Sequence, residues 1–163
     1  MMPVPVEPVL FEELPQFLSE CDFITEADRK LILEIRDLWM IDPDSNNLQL
    51  EEAARHHVNI DAKLGYIQSV LTEQEIAAEV EMDAQESGAR DRAVEASMEM
   101  NSAGKLKPGP EWRVKDRYKQ DEAYMEARLY YARVKRLNTH LSNWIFASGR
   151  RAEVLTTLTT KGR

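Results

Sequence analysis

Cysteine is almost absent from the chain, with Cys21 the single example. An internal disulfide is therefore excluded, a reducing compartment is the simpler setting, and the thiol reads as a small apolar residue rather than a reactive group. Glycine is scarce as well: six residues in 163, none of them in a phosphate-cradling cluster, so no Walker loop or dinucleotide fingerprint is present. Of the three histidines, His56 and His57 are adjacent and point in different directions on a helix, while His140 stands alone. Glu75, Glu79 and Asp83 have i, i+4 spacing but no ExxH partners of the kind a di-metal bundle uses. With no HExxH, CxxC or nucleophile elbow, the expectation is a protein that is not an enzyme and has no cofactor or metal site. No window approaches the roughly 18 apolar residues of a membrane span. The N-terminal MMPVPVEPVLFEELP lacks the basic start and clean apolar core of a signal peptide, so the expected location is cytoplasmic, with no membrane partner.

What the chain does have is charge, unevenly placed. Residues 1–104 carry 7 Lys+Arg against 23 Asp+Glu, a net of −16, whereas residues 105–163 carry 14 against 6, a net of +8. Halves of opposite sign point to complementarity within or between chains, or to an acidic body holding a basic arm against a polyanion.

Helical spacing dominates the rest, and the expected fold class is all-α, a long-helix hairpin or coiled-coil bundle that oligomerises through its C-terminal helix. Residues 1–24 form a proline-containing arm in which Phe11, Leu14, Phe17, Leu18, Cys21 and Phe23 make an apolar set that packs over the helical body, or docks on another protein. Residues 25–100 form an acidic helical region. Thr25 followed by Asp28 marks a helix start, and the spacing predicts a helix from about 26 to 41, ended by Asp42-Pro43. Asn46 or Asn47 caps a second helix carrying Leu50, Ala53, His57, Ile60, Leu64, Ile67 and Leu71, with His57 read as a core or interface histidine. From 48 to a break expected at Ser87-Gly88 it would be roughly 58 Å long. The helix is expected to resume to about Met100. Residues 101–110, NSAGKLKPGP, read as a linker, and 111–163 as a basic helical region, bent at Ser148-Gly149.

Two features of this last region carry function. Ala123, Ala127, Tyr130, Val134, Leu137, Leu141, Trp144, Ser148, Arg151, Leu155 and Leu158 recur at alternating 4,3 spacing, a seam that needs a partner. Tyr130, Val134, Leu137, Leu141, Trp144 and Leu155 are its expected oligomer interface. Lys105, Lys107, Arg113, Lys115, Arg117 and Lys119 crowd the linker and first helical turns, with Trp112 and Tyr118 between them, and Arg133 and Arg136 follow off the seam. Cations that neutralise phosphates beside aromatic faces that stack bases are how single strands are held without sequence preference. A solvated basic face paired with a neighbour's acidic half is the other reading of the same residues.

Taken together, the basic DRYKQDE, the helix DEAYMEARLYYARVKRLNTHLSNWI and the closing SGRRAEVL resemble the C-terminal region of tailed-phage recombination mediators of the UvsY kind. In that family a charged lead-in with an Asp precedes a long coil and then an Arg, and Asp121 and Arg151 occupy those places here. The likeness covers the last third of the chain; the family's aromatic and Lys after the Arg are replaced by Ala152, Glu153, Val154 and Leu155. The resemblance implies a small phage protein without enzymatic activity that binds single-stranded DNA. It also implies a ring-like homo-oligomer formed through the C-terminal helices, which loads a recombinase onto DNA covered by single-strand binding protein. The alternatives are an acidic helical adaptor or inhibitor that binds a host protein through its helix from Glu73 to Glu99, and a purely structural coiled coil.

Overall fold

The structure is a computed structural model that describes the backbone of residues 14–39 and 47–161, and the side chains of residues 14–37 and 60–147 with 150, 153, 154, 157 and 160. The fold is mostly helical. Its elements are α1 (Leu14–Ser19), α2 (Glu26–Trp39), α3 (Asn47–Ala96), β1 (Glu99–Met100), β2 (Leu106–Lys107), α4 (Glu111–Tyr118) and α5 (Glu122–Lys161). No helix among the described residues is long and apolar enough to cross a membrane. The chain divides into two compact units, and α3 and α5 contribute a segment to each: unit 1 is Met1–Gln74 with Val134–Arg163, and unit 2 is Glu75–Arg133.

Unit 1 is organised by large aliphatic residues. Leu14, Phe17 and Leu18 of α1, with Cys21 and Ile24 after it, cluster with Ile32 and Ile35 of α2, Ile60, Leu64, Ile67 and Leu71 of α3, and Leu137, Leu141 and Trp144 of α5. The amino-terminal arm thus packs over the helical body as its spacing predicts, with Phe11 outside the described residues, and Cys21 is a buried free thiol. Thr25 starts α2 in the expected way: its hydroxyl accepts from the Asp28 N–H at 3.1 Å and donates to the Asp28 carboxylate at 2.7 Å. Gln68 bonds Ser142 at 3.1 Å and Asn138 reaches Thr72 at 3.5 Å, so within this unit α3 and α5 run antiparallel.

Unit 2 sets alanines of α3 against larger side chains. Ala78, Met82, Ala89 and Ala93 of α3 and Tyr124 and Tyr131 of α5 are buried, and Tyr131 lies 3.4 Å from the Glu79 carboxylate. Here the seam of α5 is one residue out of phase with the expected one: Tyr131 is 4% exposed and Tyr130 38%. Nor does α3 break at Ser87-Gly88. A glycine costs a helix only about 1 kcal/mol, and Ala84, Ala89 and the Glu86–Arg90 ion pair at 2.7 Å, one turn apart, hold the helix across it. Helix α5 likewise runs through Ser148-Gly149, whose side chains lie outside the described residues, as do those of His57, Arg151, Leu155 and Leu158.

Candidate nucleic-acid interface

The stretch expected to be a linker folds as a hairpin. Strands β1 and β2 pair antiparallel, Glu99 opposite Lys107 and Met100 opposite Leu106. Asn101 makes the turn: its carbonyl accepts from the Gly104 N–H and its N–H donates to the Lys105 carbonyl, both at 2.9 Å. Its side-chain oxygen accepts from the N–H groups of Ala103 and Lys105 at 3.0 and 2.9 Å. Gly104 stands in the left-handed region at φ +73°, which closes a three-residue loop with little steric cost.

Carbonyls at the end of α3, which have no partner inside the helix, are satisfied locally. Val94 accepts from the Ser97 N–H at 3.1 Å and its hydroxyl at 3.0 Å, and Glu95 from the Met98 N–H at 3.3 Å. Ala96 accepts from the Arg117 guanidinium at 2.6 Å, and Ser97 from the Gly109 N–H at 2.9 Å. Gly109 comes so close that a Cβ there would lie 2.8 Å from the Ser97 carbonyl oxygen. Pro108 and Pro110 around it fit the extended backbone that leads into α4, which starts after Pro110 at φ −60°, ψ 143°.

A single helix from Trp112 is expected, yet the chain pauses between α4 and α5 because Asp121 caps the second of them. Its carboxylate accepts from the Tyr124 N–H at 3.1 Å and receives a two-pronged bond from Arg92 of α3, at 3.0 and 2.9 Å. The Tyr124 N–H, with Arg92 adding to it, holds the Asp121 carboxyl below its ordinary range. Beside this junction the Tyr118 and Tyr124 rings meet at 5.9 Å between centroids, and Arg90 lies 4.9 Å over the Tyr118 ring.

These contacts sort the expected nucleic-acid residues. Arg113 pairs with Glu99 and lies 5.4 Å over the Trp112 ring, and Arg117 closes the end of α3. Tyr118 is half-buried between Arg90 and Tyr124. In unit 1, Arg136 lies 4.9 Å over the Phe17 ring. Lys105, Lys107, Lys115, Lys119 and Arg133 are exposed and make no ion pair among the described residues. Trp112 is 62% exposed. At about 100° per residue, Trp112 and Lys115 share the side of α4 opposite Arg113, Val114, Arg117 and Tyr118.

Of the expected oligomer residues, Val134, Leu137, Leu141 and Trp144 are buried in unit 1, Tyr130 is exposed in unit 2, and Leu155 lies outside the described side chains. Sequence patterns do not single out Asn101, Gly104, Gly109 or the Arg92 partner of Asp121. The first three are signalled by the N-x-x-G spacing and the Pro-Gly-Pro that follows; the last joins positions 29 residues apart and leaves no local signal. Among the described residues no three His, Cys, Asp or Glu side chains gather as metal ligands do. No family model, curated protein or solved structure matches the chain.

Proposed function

We propose that this chain is a non-enzymatic accessory protein that binds single-stranded DNA along the hairpin and the outer side of α4. Lys105, Lys107, Lys115 and Lys119 neutralise successive phosphates there, and Trp112 stacks a base. One observation carries this reading: exposed cations without ion pairs among the described residues accompany an exposed tryptophan on a short, turn-fixed segment. Arg113, 5.4 Å over the Trp112 ring, orients that ring, which stays 62% exposed. Arg133 adds a cation on α5. The resemblance to phage recombination mediators extends the proposal to recombinase loading, with a recombinase and single-strand binding protein as partners. It also extends it to self-association, with the antiparallel α3 and α5 segments taken as coiled-coil pairs.

Fluorescence anisotropy of labelled oligo-dT against salt tests the binding. Four phosphate contacts on a single strand give a log–log slope of about −3. Trp112→Ala should weaken binding by about 1–3 kcal/mol, and Lys115→Glu with Lys119→Glu should weaken it further while flattening the slope. Salt-independent affinity, or wild-type affinity in both variants, rejects the proposal.

A further inference from the structure

The hairpin sorts its side chains by face. Successive strand residues point to opposite sides of a ribbon, so Lys105 and Lys107 share one face and Leu106 takes the other. Across the ribbon Glu99 stands opposite Lys107 and Met100 opposite Leu106. Because the Asn101 N–H bonds the Lys105 carbonyl, the Met100–Leu106 pair has no ladder bonds of its own, the arrangement that brings facing side chains closest. Met100 is 73% exposed and Leu106 66%. Two adjoining apolar side chains thus stand in solvent beside a turn that Asn101 fixes with its backbone and its side chain.

The other face is cationic. Glu99, its one acid, is paired with Arg113, and Lys105 and Lys107 make no ion pair among the described residues. From Glu99 to Lys119 the chain carries six Lys+Arg against three Asp+Glu, a net of +3. Arg113 also lies 5.4 Å over the Trp112 ring, which links the tryptophan to this face.

A ligand that covers both faces must offer a flat apolar surface and, next to it, negative charge. The last base pair of a duplex and the single strand leaving it do so: the pair presents a stacking face, and the strand carries phosphates past it. Methionine and leucine are among the residues that proteins insert at base steps. An anionic bilayer also sets apolar matter beside charge, but Lys105 and Lys107 lie on the side of the ribbon away from Met100 and Leu106, so insertion of that pair would turn both lysines from the headgroups.

We infer that the hairpin is a wedge for the junction where a duplex opens into a single strand. Met100 and Leu106 stack on the last base pair, and the departing strand runs over Lys105, Lys107 and Trp112. This inference rests on the single-strand reading above and names the substrate class of that same site.

The test is fluorescence anisotropy of the full chain on oligo-dT, on the same tract joined to a duplex, and on a blunt duplex. Wild type should bind the junction about tenfold tighter than oligo-dT, and the blunt duplex more weakly than the junction. Met100→Ser with Leu106→Ser should abolish the preference and leave affinity for oligo-dT unchanged. Leu106→Thr, which suits a strand, repeats the test with the hairpin least disturbed. In a second readout, 2-aminopurine in the last base pair should brighten on binding wild type, as its stack opens, and stay dim with the double variant. Equal wild-type affinity for junction and oligo-dT overturns the wedge and leaves the single-strand reading standing. Failure to bind oligo-dT overturns both. A preference that survives the substitutions, or a blunt duplex bound as tightly as the junction, overturns the role of Met100 and Leu106. Binding to phosphatidylserine vesicles that only wild type shows, without a junction preference, overturns the wedge and gives the apolar pair to a membrane.

Discussion

Asp121 does two jobs with one carboxylate: it caps α5 through the Tyr124 N–H and ties the start of that helix to Arg92 of α3. Both jobs favour the charged form, so the carboxyl is held below its ordinary value of 3.8. A group with a depressed folded value adds stability that is complete above the unfolded value and is lost as pH falls through the folded one. Asp121→Asn keeps an acceptor for the cap but removes the charge from the Arg92 bond. Thermal midpoints should therefore differ by a constant amount between wild type and Asp121→Asn near neutral pH. The gap should close in acid, below pH 3.8. A gap that persists or widens in acid would show that the charge of Asp121 does not contribute. The sequence singles out Asp121 only through the family resemblance, although Asp-Glu ahead of a helical run is itself a start signal. Arg92 was unreadable as its partner, because only the folding back of α4 and α5 brings the two together.

At the scale of elements, the hairpin and α3 treat glycine in opposite ways. Gly109 meets backbone: a Cβ would sit 2.8 Å from the Ser97 carbonyl oxygen, and the Gly109 N–H bonds that same oxygen. Gly88 meets only the end of a flexible side chain, since a Cβ there would lie 3.2 Å from the Arg92 Nη1, inside a continuous helix. Gly88→Ala should then raise stability by about 0.5–1 kcal/mol, the helix-propensity difference less whatever Arg92 loses by shifting. Gly109→Ala should lower it and loosen the Ser97 contact. Chemical denaturation of the two variants beside wild type checks both signs, and a stabilising Gly109→Ala would contradict the account of the hairpin. The helices were legible because 3.6-residue spacing and the Thr25–Asp28 start are local properties. The hairpin was not, since two residues per strand are too few for an alternating pattern, and a Gly- and Pro-rich stretch reads as a linker when its bonds go to a distant helix end. The lysines and Trp112 of the candidate interface were legible by type and order. The diversion of Arg113, Arg117 and Tyr118 into internal contacts was not, because those contacts depend on how α4 lies against the end of α3.

At the scale of the whole molecule, the boundaries between the units, at 74/75 and 133/134, fall inside helices and no proline or glycine marks them. What changes there is side-chain size: α3 passes from Ile60, Leu64, Ile67 and Leu71 to Ala78, Met82, Ala89 and Ala93. Apolar burial scales with area, at roughly 25 cal/mol per Å². The aliphatic cluster of unit 1 therefore holds its helices more firmly than the core of unit 2, where Met82, Tyr124 and Tyr131 are the large buried apolar side chains among the described residues. Hydrogen exchange reads such differences residue by residue, since amides in less firmly packed segments open at lower free energy. In dilute solution the slowest amides should lie in residues 60–74 and 134–147, with those of 75–133 exchanging faster. Slower exchange in residues 75–133 than in residues 60–74 would contradict this ranking of the two units.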